Sequence, residues 1–243
     1  MISISEELVR WFSILLASFI FSISLETDSL SSVNYLLINQ GLFVTLAGYL
    51  LLTIPKSPGK LLTNISATVL MFIISTQLTI VEFVPLPILF RICLIILCLS
   101  LSLWSISQLS EALSPTLFHN SSHIRIPVLL FTAIITCAPV WLGPWVDLYL
   151  PDNSIINAII SLTPVTHFSV AAEYDFLRSE WFYRNTPFGS LPFSYPELNS
   201  IIISYLVFNI FLQTILWKLT GKKTLNTLNN NQPETKEQKL TIS

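Results

Sequence analysis

Residues 92–109 have the sequence ICLIILCLSLSLWSISQL, and none of these eighteen residues is charged. An α-helix rises about 1.5 Å per residue and a bilayer core is about 30 Å thick, so this stretch predicts a membrane-spanning helix. The whole chain has the same character, because 52% of its 243 residues are hydrophobic and only 11% are charged. Soluble domains carry about 25% charged residues, so the sequence predicts an integral membrane protein that contacts membrane lipid.

Five further apolar stretches approach the length of a span. In chain order, the six predicted spans are Trp11–Leu25, Val33–Ile54, Leu61–Val84, Ile92–Leu109, Ile126 to about Trp145, and Leu198–Leu219. We expect the first to be an uncleaved helix rather than a signal peptide, because Glu6 and Glu7 weaken its basic start. The predicted fold class is therefore all-α, a polytopic membrane protein with six transmembrane helices and an interfacial or re-entrant helical segment between helices 5 and 6.

The basic residues between the spans predict the orientation of the chain. Cytoplasmic loops of membrane proteins are enriched in Lys and Arg. A topology with both termini in the cytoplasm puts six such residues and Arg10 on that side; the six are Lys56, Lys60, Arg125, Lys218, Lys222 and Lys223. Arg91 is the exception near the outer end of the fourth span, and we expect it to snorkel to the interface. The composition is typical of a bacterial inner membrane protein.

Two regions follow from this topology. Residues 1–223 form the predicted six-helix transmembrane domain, and the polar residues 224–243 form a predicted disordered cytoplasmic tail. The net charge of -2 provides no basic surface, which argues against a nucleic acid partner. Neutral polar residues within the spans are expected to form interhelical hydrogen bonds; examples are Gln40, Asn64, Asn209 and Gln213.

Residues 144–197, between the fifth and sixth spans, do not have the composition of a solvated loop. They are rich in proline and in aromatic residues, which favour the membrane–water boundary. Thr163-Pro164 is a plausible helix start, and apolar residues recur at helical spacing from there towards Arg178. We therefore predict an amphipathic helix that lies in, or dips into, the outer interface. The preceding Ile155–Leu162 is too short to span and is a candidate re-entrant piece.

This outer aromatic segment 144–197 also contains the candidate functional residues. They are His167, Phe168, Glu173, Asp175, Arg178, Trp181 and Tyr183. Asp175 and Arg178 are spaced i,i+3, a separation at which opposite charges pair on a helix surface. Two interpretations stay open: the segment gates a substrate, or it is an interfacial belt that anchors the fold.

Catalytic, cofactor and metal motifs are absent from the sequence. An enzyme would use His167 or Glu173 as a general base, but no nucleophile motif or paired acidic motif accompanies them. His119 and His123 are spaced i,i+4 as in zinc sites, yet they lie in a loop-like run without a nearby third ligand. We therefore predict a protein that is not an enzyme and has no catalytic residues, cofactor or metal ion.

Two short motifs carry a family resemblance. One is Ile160–Phe168, which leads to Leu177-Arg178, and the other is the basic end of the sixth span at Leu219–Lys223. At these two places the chain resembles permease subunits of ABC-2-type transporters. The resemblance implies transport energised by a separate ABC ATPase subunit, and a homodimer formed through helices two and five. The chain itself has no P-loop motif.

The chain also departs from that family in two places. An amphipathic helix before the first span is missing or reduced to Met1–Arg10, and the loop Ser57–Lys60 is short for docking an ATPase. A second hypothesis therefore stays open. In it the chain is a non-catalytic membrane scaffold or assembly factor that binds a partner through the outer aromatic segment.

Overall fold

The described part of the chain is helical throughout its regular elements. The computed structural model describes residues 4–26, 33–53, 55, 57–80, 84–113, 122–149, 153–187 and 191–230. Within these ranges, the description is limited to the backbone for residues 4, 5, 22–26, 122, 123, 147, 149, 181 and 220–230. The helices are α1 Ile4–Glu26, α2 Val33–Leu51, α3 Pro58–Thr79, α4 Leu86–Leu113, α5 Ser122–Thr136, α6 Ala138–Tyr149, α7 Asn153–Leu162, α8 Pro164–Ala171, α9 Glu180–Asn185 and α10 Leu198–Asn230.

Between four and six candidate spans lie in the described residues. The helices α2, α3, α4 and α10 are each long and apolar enough to cross a membrane. Two bent pairs raise the number to six if each counts as one span: α5 with α6, bent by 48°, and α7 with α8, bent by 81°. Within the described residues α1 does not meet these criteria. The predicted all-α fold is confirmed, and four to six of its helices are candidate membrane spans.

Several helices extend beyond the predicted span boundaries. The third begins at Pro58 rather than Leu61, because the Ser57 side chain accepts a hydrogen bond from the backbone N–H of Lys60 and so caps it. The last helix continues to Asn230, beyond the predicted start of the tail, while residues 231–243 lie outside the described residues.

The bundle is organised around α4, which packs against α2, α3, α5, α8 and α10. The helix α1 packs on α2 and α3. The fully buried core side chains include Phe72, Ile92, Ile95 and Ile96. The crossing of α2 and α3 is close, since a Cβ atom added to Gly48 would lie 2.7 Å from the Thr68 hydroxyl oxygen. Small residues permit this approach in membrane helices.

Three of the four neutral polar side chains named above connect helices as predicted, whereas Asn64 donates to the Thr53 carbonyl beyond the end of α2. The Gln40 amide on α2 donates to the Ser75 hydroxyl on α3 at 2.9 Å. The Asn209 amide on α10 donates to the Ser102 hydroxyl on α4, also at 2.9 Å. Gln213, one turn further along α10, donates to Ser105. These bonds satisfy polar groups that have no water partner inside an apolar bundle.

One end of the bundle collects basic side chains, and we call it the Arg125 end. There, Lys60 at the start of α3 forms an ion pair with Glu7 on α1. The Arg10 guanidinium donates to the Leu51 carbonyl at the C-terminus of α2. Arg125 on α5 donates 2.8 Å to the carbonyl of Leu50. Three basic residues that the sequence assigns to one side of the membrane therefore lie at one end.

The opposite end contains the polar part of the outer aromatic segment, and we call it the Glu173 end. Arg91, in the first turns of α4, forms an ion pair there with Glu173. The residue that departs from the charge rule in sequence thus has an acidic partner in the folded chain.

Candidate functional site

The connection between α7 and α8 is a sharp hinge at Thr163. This residue has an extended backbone (φ -86°, ψ 120°), and Pro164 takes the first helical position of α8, where its missing N–H costs nothing. The Thr163 hydroxyl does not cap α8; it donates back to the Ile159 carbonyl at 2.7 Å. The predicted helix start is confirmed, while its expected cap is replaced by a bond to the preceding helix.

His167 connects this hinge to α10. Its Nε2 lies 2.8 Å from the Ser161 carbonyl oxygen, and its Nδ1 lies 2.8 Å from the Tyr205 hydroxyl. A carbonyl only accepts, so Nε2 carries the proton, and in the neutral imidazole the Tyr205 hydroxyl donates to Nδ1. The imidazole is 7% exposed. Because Ser161 belongs to the last turn of α7, His167 satisfies a carbonyl that the helix end leaves without a partner.

Phe168 fixes α8 inside the bundle. Its side chain is fully buried, and its ring lies against the backbone of α2 at Gly41. A Cβ atom at Gly41 would lie 2.6 Å from Phe168 Cε1, which is closer than real Cβ contacts allow. The glycine is therefore required by the close approach of the ring.

The predicted amphipathic helix from Thr163 to Arg178 is wrong in two respects. First, α8 ends at Ala171, and the chain then adopts a left-handed backbone at Glu173 (φ 53°), which ends the helical path. Second, α8 has no polar exposed face, since all its side chains but Val170 are buried. The helix carries no charged residue, so it packs between α2 and α4 instead of lying on the interface.

Asp175 and Arg178 form a polar cluster after the break. Asp175 accepts the backbone N–H of Arg178 at 3.1 Å and caps a 3₁₀ turn, Phe176–Arg178. The two side chains pair at 3.5 Å, as their spacing predicts. The Tyr195 hydroxyl donates to Asp175 Oδ1 at 2.7 Å. Burial, followed by this bond to the carboxylate, raises the pKa of Tyr195 above that of an ordinary phenol.

The remaining candidates lie on α9. Tyr183 is 65% exposed, and the ion pair between Glu180 and Arg184 lies on the same exposed helix at 2.5 Å. The side chain of Trp181 lies outside the described residues. The seven sequence candidates therefore do not converge on one site. His167 and Phe168 lie inside the bundle, and the others that are described lie at its Glu173 end.

A cavity of about 550 Å³ adjoins the hinge and is bounded by α4, α5 and α10. Its apolar lining includes Leu99, Leu103, Ile106, Phe131, Ile135 and Phe208. Polar groups come from Ser161 and His167 at the hinge and from Ser200, Ser204 and Tyr205 on α10. The volume is in the range of small-molecule sites.

Sequence reasoning missed the residues that hold His167 and Phe168 in place. Tyr205 lies within an apolar span, where a single phenol is weak evidence of function, and Gly41 is one small residue in α2. Neither residue forms a motif with the hinge, because the contacts join distant parts of the chain.

In the residues that the structure describes, no three His, Cys, Asp or Glu side chains lie together. His119 lies outside the described residues. No family model, curated protein or solved structure matches this chain.

Proposed function

We propose that this chain is the membrane-spanning permease subunit of an ABC-2-like transporter, energised by a separate ATPase. The observation that carries the proposal is the hinged pair α7–α8. It lies in chain order between the fifth and sixth proposed spans, where the family that the sequence resembles has re-entrant helices.

Contacts on both sides of the hinge support a re-entrant path. On α7, Asn157 accepts the backbone N–H of Ser194, which lies just before α10. After α8, Glu173 pairs with Arg91 at the Glu173 end. The hinge between them is bonded through His167 to Tyr205, two turns into α10. These contacts support a segment that enters and leaves at one end.

Two backbone hydrogen bonds support the hinge as non-helical chain at membrane depth. Such chain is tolerated only where protein groups satisfy its hydrogen bonds. The N–H of Thr163 donates to the Ile160 carbonyl, and the N–H of Thr166 donates to the Thr163 carbonyl. With α7–α8 assigned as re-entrant, the six spans are α1, α2, α3, α4, α5–α6 and α10.

The Arg125 end is the proposed cytoplasmic side, with both termini there, in a bacterial inner membrane. The positive-inside rule supports this orientation for Arg10, Lys60 and Arg125. The ATPase is proposed to dock at this end. Gly59 is a suitable probe there, because a Cβ atom added to it meets no other atom within 4 Å.

A homodimer is part of the same proposal. The exposed side chains of Ile126, Leu130 and Ile134 are spaced four residues apart on α5, so they form one apolar stripe. By contrast, α2 already packs against α1, α3, α4 and α8 within the chain. We therefore assign the dimer contact to α5 rather than to both helices two and five.

Affinity purification of the full chain from native membranes in mild detergent tests the proposal. Mass spectrometry should recover a P-loop ATPase in stoichiometric amount. Gly59→Cys should cross-link to it, whereas Ser194→Cys, at the Glu173 end, should not; both variants carry Cys137→Ser because Cys137 is exposed. Recovery of the intact chain without an ATPase, or equal cross-linking from both positions, would overturn the transport mechanism.

A scaffold or assembly factor is the second candidate function. It is favoured by the exposure of large side chains in the outer aromatic segment, where Tyr183 is 65% exposed and Leu148 is 73% exposed. In that case the purification should recover a membrane or secreted partner instead of an ATPase. Tyr183→Ala should then remove that partner.

A further inference from the structure

The cavity beside the hinge has its polar groups at one end. Ser200 and Ser204 are exposed on the first two turns of α10, near the Glu173 end. The hydrogen-bonded set Ser161–His167–Tyr205 lies beside them in the lining. Towards the bundle centre the lining is apolar, with Ile106 on α4 and Phe208 on α10.

The two hydroxyls at the apolar end are already engaged within the protein. Thr132 donates to the Val128 carbonyl at 2.8 Å. Ser102 donates to the Cys98 carbonyl at 3.0 Å and accepts from the Asn209 amide. The polar groups that remain available to a ligand are therefore concentrated at the end of the cavity near Ser200.

The sides of the cavity continue into the apolar exterior of the bundle. Phe131 on α5 is 60% exposed and Phe208 on α10 is 42% exposed, although both line the cavity. Next to Phe208, Val207 is also exposed. A molecule with an apolar tail would therefore enter sideways between α5 and α10, directly from the lipid phase.

The volume of the cavity and the lack of charge in its described lining further limit the ligands that it can hold. If each heavy atom takes roughly the ~30 Å³ of a water molecule, the volume of about 550 Å³ holds about 18 heavy atoms, enough for one chain with a small headgroup. The described lining has no Asp, Glu, Lys or Arg side chain. An ionised headgroup would find no counter-charge there, and burial of an unpaired charge is costly.

We propose that this cavity binds a neutral, single-chain amphiphile. The headgroup bonds to the hydroxyls of Ser200 and Ser204, beside the hinge network, and the tail lies between α5 and α10. Tail contacts replace equivalent contacts with lipid, so selection from the bilayer depends on the headgroup bonds. The inference deepens the proposed function by naming a substrate class; it rests on the membrane placement in that proposal but not on an ATPase.

Photolabelling of the purified full chain in detergent tests the site. The probe is monolaurin with a diazirine at the end of its chain. Labelling should saturate and should concentrate in the peptides that contain Phe131 and Phe208. Labelling that rises linearly with probe, or that spreads evenly over the exposed helices, would overturn the proposal.

Two neighbouring positions on α10 provide a matched pair of variants. Ser204→Trp fills the cavity and should reduce labelling at least tenfold, whereas Ile203→Trp changes an exposed side chain that does not line the cavity and should leave labelling unchanged. Both positions are exposed, so both variants should fold, and their thermal unfolding temperatures check this. Equal labelling of the two variants would refute the site.

Competition experiments test whether the cavity prefers a neutral headgroup to a charged one, and whether the ligand is a diacyl lipid of the membrane itself. Unlabelled monolaurin should displace the probe, while dodecyl phosphate, with the same chain and a charge, should be about tenfold weaker. Phosphatidylglycerol, a diacyl lipid of the membrane itself, should not compete. If dodecyl phosphate or phosphatidylglycerol competes as well as unlabelled monolaurin, the assignment of a neutral, single-chain ligand is overturned. Because the assay uses the chain alone, it can succeed or fail independently of ATPase recovery.

Discussion

The helices α8 and α9 belong to one segment of the sequence but differ in burial, since α9 buries Phe182 and exposes its other described side chains. Both contain aromatic residues, and they are separated by only one turn and a 3₁₀ turn. In α8, Phe168 is fully buried and His167 is 7% exposed, whereas Tyr183 in α9 is 65% exposed. Aromatic content therefore does not distinguish a helix inserted in the bundle from a helix at its surface.

Charge accounts for the difference. The sequence of α8, PVTHFSVA, has three polar side chains near its centre but no acidic or basic residue apart from the histidine. His167 is satisfied by a carbonyl and a hydroxyl, and Ser169 donates to the Val165 carbonyl. In α9, Glu180 and Arg184 would need compensation for burial, so the helix stays at the surface.

The largest effect is expected from Phe168→Ala. Removal of the fully buried ring leaves a cavity between α8 and α2, and the chain should lose roughly 3 kcal/mol of unfolding free energy. Denaturant titration in mixed micelles measures this, with Tyr183→Ala as the control in the same segment. A loss below about 1 kcal/mol would show that α8 is not part of the core.

A glycine substitution tests the same contact from the other side. Gly41→Ala puts a Cβ atom 2.6 Å from the Phe168 ring and should cost about 1–3 kcal/mol. In combination with Phe168→Leu, the cost of the alanine should shrink, because the smaller side chain makes room. Strict additivity in this double-mutant cycle would contradict the close approach of the two helices.

The hinge network should give a smaller and strongly coupled effect. Tyr205→Phe removes the hydroxyl that donates to His167, at a cost of about 1 kcal/mol. His167→Phe leaves the Ser161 carbonyl without its side-chain partner and should cost about 1–3 kcal/mol. Once the imidazole is gone, the tyrosine substitution should cost less than it does alone. Equal costs in both backgrounds would mean that the two residues do not interact.

The limits of sequence reasoning are visible in these same residues. Hydrophobic runs predict the helices because helix formation in each run depends on the residues of that run. The i,i+3 pair of Asp175 and Arg178 is equally local. The insertion of α8 depends on Gly41, in a helix more than a hundred residues away, and on Tyr205. A local pattern contains no information about such partners, so the continuous amphipathic helix was the expected but incorrect outcome.

The break after α8 allows a test that separates the effect of backbone strain at Glu173 from the effect of its ion pair. Glu173 has a left-handed backbone and pairs with Arg91 in a partly exposed ion pair. Glu173→Ala loses the ion pair and keeps the strain, whereas Glu173→Gly loses the same pair but relieves the strain. We expect the glycine variant to be about 1 kcal/mol more stable than the alanine variant. If alanine is the more stable of the two, the backbone at this break is not left-handed.

The smallest effect on stability is expected from Tyr183→Ala on α9, and this variant separates the two candidate functions. The side chain is 65% exposed, so unfolding free energy should change by less than about 0.5 kcal/mol. A permease that uses the cavity beside the hinge should keep its probe labelling and its ATPase. A scaffold that binds through the outer aromatic segment should lose its partner while remaining folded. A large loss of stability would instead mean that α9 packs as tightly as α8, and the contrast between the two helices would disappear.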